Sequence, residues 1–170
     1  MKKVFALLLA TAFTLGASTR AAAQSDDQNL KSVVGTWTVN VTAGEISICN
    51  GPTIAPGPPP FVELITYAAG GTVTETNSEL NAHSAGSPLG LAGSDGHGAW
   101  ERDDSEYHSI FRKLLFDLSG AYVGNADLNE NLSIRASGEL SGSFTIKLDF
   151  GNARPALCSS GTVTGQRLAP

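Results

Sequence analysis

Hydrophobic and polar side chains alternate along much of the chain, most clearly in its last third. From Tyr122 to Ile134 the even-numbered residues are mainly apolar and the odd-numbered residues are mainly polar, and the same alternation returns between Leu140 and Phe150. A period of two residues is typical of a strand with one buried face. Placing Ile134 opposite Leu140 keeps both apolar faces on the same side, so the pattern predicts a hairpin in this register.

Weaker alternation of the same kind extends over the rest of the chain, and no window has helical periodicity. The pattern predicts eight strands, at residues 33–49, 61–68, 72–77, 97–102, 106–116, 121–134, 139–150 and 156–168. Glycine, with 19 residues, is frequent between these segments, as expected for turns. Eight strands in succession favour an all-β fold, an eight-stranded up-and-down antiparallel barrel, which has no free sheet edges and has room for one small ligand.

The lengths of the predicted connections differ between the two ends of such a barrel. The long connections, residues 50–60 with five prolines and residues 78–96, lie at the same end. Short turns at residues 69–71, 103–104 and 137–138 lie at the other end. We therefore expect an open end framed by long loops and a closed end formed by tight hairpins.

A short motif opens the first predicted strand, and its counterpart lies in the last one. Gly35, Thr36 and Trp37 form a G-x-W motif, and Arg167 lies near the C-terminus. Together with eight strands, these residues resemble the calycin superfamily, which includes the lipocalins, and in particular small bacterial lipocalin-like secreted proteins. The resemblance implies that Arg167 packs over the Trp37 indole and closes one end of a ligand-binding barrel.

Two cysteines occur in the chain, in the first and the last predicted strands. With Trp37 beside Arg167, antiparallel pairing brings Cys49 close to Cys158, which predicts a disulfide between strands that meet at the open end. Strict alternation puts the two side chains on opposite faces, so the bond requires a bulge. Two free thiols are the alternative.

The N-terminal segment has the features of an export signal. Lys2 and Lys3 precede an apolar stretch at residues 4–15, and three alanines end at Ala23. We expect a signal peptide over residues 1–23, a flexible segment over 24–32 and the barrel domain over 33–170. No cysteine lies at the expected cleavage site itself, so the sequence predicts a secreted or periplasmic protein without a lipid anchor.

Charge and hydropathy limit the classes of partner. The chain has 11 basic and 16 acidic residues, and removing Lys2, Lys3 and Arg20 with the signal lowers the net charge from −5 to about −8. An acidic surface argues against nucleic acid as a partner. No later apolar run is long enough to span a bilayer, so we expect no membrane insertion of the mature chain. The sequence does not predict an oligomeric state.

Glu130 is a carboxylate on an otherwise apolar strand face, so it needs a partner. A three-residue loop at 118–120 would place His108 opposite Glu130. The two residues could form a catalytic acid–base pair or a structural polar pair. Arg112 is on the same predicted strand face as His108 but nearer the open end, where it could contact a ligand or extend into solvent.

Three aromatic residues are candidates for lining a ligand site: Trp100, Tyr122 and Phe144. Core packing is their alternative role. The three histidines, His83, His97 and His108, are not spaced as a zinc motif, and we expect no metal or cofactor.

These patterns favour an exported barrel that binds a small, mostly apolar molecule. An isomerase or cyclase working through His108 and Glu130, similar to the allene oxide cyclase and dirigent families, is a second hypothesis. A barrel filled by side chains that acts as an extracellular interaction module is a third. Whether the protein is an enzyme stays open, with binding without catalysis favoured.

Overall fold

The eight strands predicted from alternation are present, the first of them divided into two, together with two short additional strands. The structure, a computed structural model, describes residues 32–80, 89–151 and 153–169, so the predicted signal peptide and residues 24–31 of the expected flexible segment lie outside the described residues. The described strands are β1 (Gly35–Ala43), β2 (Ile46–Ile48), β3 (Thr53–Ala55), β4 (Phe61–Tyr67), β5 (Thr72–Asn77), β6 (Leu91–Gly93), β7 (Gly96–Asp103), β8 (Glu106–Asp117), β9 (Tyr122–Ile134), β10 (Leu140–Asp149) and β11 (Leu157–Arg167). Within these ranges no helix is long and apolar enough to cross a membrane.

Eight of the strands form a closed antiparallel barrel. The order around the sheet is β1, β4, β5, β7, β8, β9, β10 and β11, and β11 pairs back onto β1. The predicted up-and-down barrel is therefore confirmed. The short strands lie in the long connections: β2 continues along β11 and pairs with β3, while β6 pairs with the end of β8.

The barrel core comes from the inward positions of the alternating strands. Val39, Ile65, Val73, Leu115 and Leu132 are almost completely buried and belong to one hydrophobic cluster. Each of these side chains contributes about 1.5–3 kcal/mol by its removal from water.

The closed end is built around the Trp37 indole, which is 0% exposed. Trp37 pairs with Arg167 across β1 and β11, and the guanidinium carbon lies 4.5 Å from the centre of the indole. Arg167 also donates hydrogen bonds to the carbonyl oxygens of Ser32 and Val34, while the indole N–H donates to Val33 O at 2.7 Å. The predicted juxtaposition is confirmed, and it also holds the chain segment that precedes β1.

The predicted disulfide is present and joins the start of β11 to the segment after β2. Cys49 and Cys158 are bonded with their Cα atoms 5.0 Å apart. β11 pairs Gly161 with Ala43 of β1 but Cys158 with Ser47 of β2, so one extra residue lies between the two strands. This irregularity is the break in alternation that the disulfide required, and it divides the predicted first strand into β1 and β2.

The register of the β9–β10 hairpin agrees with the sequence prediction, because Ile134 pairs with Leu140. The register between β8 and β9 does not agree along its full length. Phe116 pairs with Tyr122 as expected, but the next pair is Leu115 with Gly124, which leaves one extra residue in β9. A shift of one residue turns every following side chain to the opposite face of the sheet.

Gly124 fits this bulge for a steric reason. Its φ angle is 156°, and a Cβ atom at this position would lie 2.2 Å from the carbonyl oxygen of Asp149 on β10. Only glycine permits so close an approach of the two backbones. The bulge therefore decides which residues of β8 face the barrel interior.

Candidate functional site

A cavity of about 100 Å³ opens between the strands at the end of the barrel that carries the long connections. This volume is several times the roughly 10–15 Å³ that one water molecule needs and smaller than the roughly 300 Å³ of the smallest typical drug-sized pockets. It suits a small molecule or one end of a longer one. The apolar wall includes Val41, Phe61, Leu128, Phe144, Leu148 and Val163.

The inner surface of this cavity also contains charged side chains, although they lie deep in the barrel. Glu63 of β4, Lys113 of β8 and Glu130 of β9 line it, and Glu75 of β5 contacts Lys113. Their exposed fractions are 5% for Glu63, 2% for Glu75, 0% for Lys113 and 4% for Glu130. We call these four residues the interior charge cluster. Buried charges are rare in proteins unless they are paired or have a functional role.

Lys113 and Glu75 form the ion pair of the cluster. The Lys113 Nζ atom lies 2.8 Å from Oε2 and 3.2 Å from Oε1 of Glu75. Asn77 Nδ2 donates to Glu75 Oε1 at 2.8 Å, and Asn77 Oδ1 accepts from the backbone N–H of Leu80. The Glu75 carboxylate is thus neutralised and fixed, and the same network ties it to the segment after β5.

Glu130 has two hydroxyl partners. Tyr67 OH donates to Glu130 Oε2 at 3.0 Å, and Ser109 Oγ donates to the same oxygen atom. Burial raises the pKa of Glu130 from its ordinary value of 4.5 to about 7, although the hydrogen bonds from Ser109 and Tyr67 act in the opposite direction. Glu130 therefore changes its charge near neutral pH.

Glu63 differs from the other two carboxyl groups because none of the described residues donates a hydrogen bond to it. Burial raises its pKa well above the ordinary value, and repulsion by Glu130 and then Glu75 adds to this effect, while Lys113 opposes it. Its carboxyl group borders the cavity. Glu63 is thus an acceptor that a bound molecule can reach.

The cluster contains three carboxyl groups and one ammonium group. Since Lys113 is engaged with Glu75, the positive charge does not satisfy Glu63 or Glu130 directly. Two like charges in an apolar interior raise each other's pKa, so the pair favours a state that holds at least one proton at neutral pH. The arrangement can accept hydrogen bonds, bind a cation or exchange a proton with a ligand.

Comparison of the chain with protein-family models, with curated proteins and with solved structures finds no match.

The predicted contact between His108 and Glu130 is absent, because the bulge in β9 places His108 on the outer face. His108 pairs with Asn131 and its Nδ1 atom lies 2.6 Å from Asn131 Oδ1, whereas Ser109 pairs with Glu130. Arg112 is on the outer face too, where it forms an ion pair with Asp127 and is 60% exposed. Neither His108 nor Arg112 lines the cavity, and His108 bonds to Asn131 instead of Glu130.

The three candidate aromatic residues have different positions. Phe144 lines the cavity. Trp100 lies at the closed end, where its ring packs edge-on against Tyr67 and its indole N–H donates to Ala68 O at 2.8 Å. Tyr122 is 58% exposed at the start of β9. Only Phe144 of the three is placed to contact a molecule in the cavity.

Among the described residues, no three His, Cys, Asp or Glu side chains are arranged to hold a metal ion. The described partners of Glu75 and Glu130 are hydroxyl, amide and ammonium groups.

Four interior residues were not predicted from the sequence: Glu63, Glu75, Lys113 and Ser109. A signal for Glu75 exists in the alternation of β5, where Val73, Glu75 and Asn77 share one face. Polar residues at inward positions of three strands, β4, β5 and β8, indicate a polar interior site. Correct strand registers were needed to recognise it.

Proposed function

We propose that the barrel binds a small, mostly apolar molecule in the cavity at its open end. The observation that carries this proposal is the combination of an apolar wall with an accessible carboxyl group at Glu63, deep in the barrel. Apolar walls supply affinity by burying surface, and a few polar groups orient the ligand. A barrel packed solid by side chains would leave no such space.

Hexan-1-ol is a suitable first probe, because its chain is short and it carries no charge. We expect saturable binding by isothermal titration calorimetry, with one molecule per barrel. Val41→Phe places a larger side chain at the cavity wall and is expected to weaken binding at least tenfold. Thr42→Phe is the matched control, since Thr42 is the neighbouring residue on β1 and is exposed on the outer face.

Thermal unfolding of both variants tests whether they remain folded. If the folded Val41→Phe variant binds hexan-1-ol as tightly as the Thr42→Phe variant, the cavity is not the binding site and the proposal is wrong.

We also propose that the chain is an exported member of the calycin superfamily. The closed eight-stranded barrel and the packing of Arg167 on Trp37 support the superfamily assignment. The Cys49–Cys158 disulfide supports a secreted or periplasmic location, because disulfides persist in oxidising compartments. Mass spectrometry of the protein recovered outside the cytoplasm tests the export proposal. The measured mass should match a chain that begins at Gln24. A mass equal to that of the full chain would contradict cleavage.

A further inference from the structure

The carboxyl group of Glu63 is a buried acceptor that the protein leaves open to the cavity. It is 5% exposed, it lines the cavity, and no described residue donates a hydrogen bond to it. A molecule in the cavity that supplies a donor at this position can therefore form a hydrogen bond with it.

The surroundings of Glu63 favour a cation over a neutral donor. The ammonium group of Lys113 is held by both oxygens of Glu75, at 2.8 and 3.2 Å. Glu130 faces the same cavity, and both of its hydroxyl donors, Tyr67 and Ser109, bind one oxygen, Oε2. Among the described residues, neither the Glu63 nor the Glu130 carboxyl group forms an ion pair.

We propose that the ligand of this barrel carries a protonated amine on a small apolar body, with the ammonium group bound by Glu63 and with Glu130 as a second acceptor. The apolar body then lies against the cavity wall towards the open end. This inference rests on the proposed function, since it names the class of molecule that occupies the same cavity. An ammonium group suits the site because it offers three donors, and a hydrogen bond to a charged partner is about twice as strong as one between neutral groups.

Ligands with a carboxylate are disfavoured by the same surroundings. A ligand carboxylate beside the Glu63–Glu130 pair would add a further negative charge in a region of low dielectric, where like charges repel strongly. The site therefore selects against fatty acids and in favour of amines of the same chain length.

Amine binding should be linked to proton release. Burial and the charges of Glu130 and Glu75 raise the pKa of Glu63, and among the described groups Lys113 lowers it. Tyr67, a titratable group next to the cluster, donates to Glu130. A bound ammonium adds a positive charge, lowers the pKa of both acceptors and so releases a proton from the Glu63–Glu130 pair to solvent. Between pH 5 and 8 the amine should consequently bind more tightly as the pH rises.

Calorimetry with hexylamine, hexan-1-ol and hexanoate tests the inference, because the three probes share one chain length and differ in the head group. We expect wild-type protein to bind hexylamine at least about tenfold more tightly than hexan-1-ol, because one charge-assisted hydrogen bond contributes about this much affinity. Hexanoate should bind least tightly of the three. Titration in two buffers of different ionisation enthalpy at pH 6 should reveal protons released with hexylamine only.

Glu63→Gln tests the assigned residue. This variant should lose about tenfold or more in its preference for hexylamine over hexan-1-ol, together with most of the proton release. Glu45→Gln, which removes an exposed carboxyl group at the same end of the barrel, controls for general charge and should behave as wild type. Equal hexylamine affinity in the wild-type and Glu63→Gln proteins overturns the assignment.

The comparison of probes on wild-type protein does not depend on the folding of any variant. If all three probes bind equally, or hexanoate binds most tightly, the amine inference is wrong while the proposed function stands. If none of the three binds, the proposed function itself fails.

Discussion

The buried ion pair between Lys113 and Glu75 provides a sharp test of the described interior. Both side chains are 0% exposed, and the Nζ to Oε2 distance is 2.8 Å. Replacing Lys113 with Met retains an unbranched apolar stem of similar length and removes the charge. The Glu75 carboxylate is then left in the barrel with a neutral amide donor, from Asn77, but no cation among its described partners.

The expected loss of stability follows from the burial of both partners. Breaking a fully buried ion pair by removing one side costs about 3–5 kcal/mol, because the remaining charge is uncompensated. For a domain of this size, each kcal/mol lowers the melting temperature by about 2–4 °C, so the Lys113→Met variant should melt about 6–20 °C below wild type. The double variant Glu75→Gln with Lys113→Met has no interior charge at this pair and should recover most of the loss.

Urea unfolding followed by tryptophan fluorescence measures these free energies, since the Trp37 indole changes from complete burial to solvent on unfolding. Lys147→Met is the matched control: Lys147 pairs with Asp149 at 2.9 Å, but the two side chains are 50% and 41% exposed. Removing this exposed pair should change the free energy of unfolding little, because solvent screens the two charges. A Lys113→Met protein within 1 kcal/mol of wild type, or a double variant as unstable as the single one, would refute the buried pair.

Two further predictions concern pH dependence and the disulfide. The pKa of Glu130 is about 7 in the folded protein, against an ordinary value of 4.5, so the folded state holds this proton more tightly than the unfolded chain. The stability that this proton provides is complete below pH 4.5 and is lost as the pH rises through 7. The free energy of unfolding should fall by about 3 kcal/mol over this range. Between pH 4 and 8 the free energy of unfolding should fall more steeply in wild type than in Glu130→Gln, and parallel curves would contradict this. Replacing Cys49 and Cys158 together by Ser should lower the free energy of unfolding by about 2–5 kcal/mol, and an unchanged urea midpoint would show that the bond does not stabilise the barrel.

Strand order and two of the registers were predictable because each rests on a strong constraint. The β9–β10 hairpin has one clearly apolar face, so only one register buries it, and Ile134 pairs with Leu140 as expected. The G-x-W motif with its terminal arginine predicted the closing pair of β1 and β11, and that pair in turn brought the two cysteines together.

The inward face of β8 was not predictable from its own pattern. Ile110 and Leu114 lie on the outer face and are 56% and 44% exposed, whereas Phe111 and Leu115 on the inner face are buried. Since both faces carry large apolar residues, alternation alone cannot choose between them. The choice depends on the bulge before Gly124, and one unrecognised residue there exchanged the roles of His108 and Ser109.

The interior charge cluster was harder still to predict, because its residues contradict the usual distribution of polarity. On β4 the inward position holds Glu63 while Val62 and Leu64 are 43% and 45% exposed. A fully buried lysine such as Lys113 is rarer yet. Local pattern assigns such residues to the surface, and only the partners brought together by the closed barrel make their burial favourable.

The location of a bound amine tests the central claim most directly. Intermolecular nuclear Overhauser effects between hexylamine and methyl-labelled protein would identify the residues that touch the alkyl chain. We predict contacts to the methyl groups of Val41, Leu128 and Leu148, which line the same cavity as Glu63. Contacts confined to the exposed methyl groups of Ile110 and Leu114 on the outer face would contradict the account.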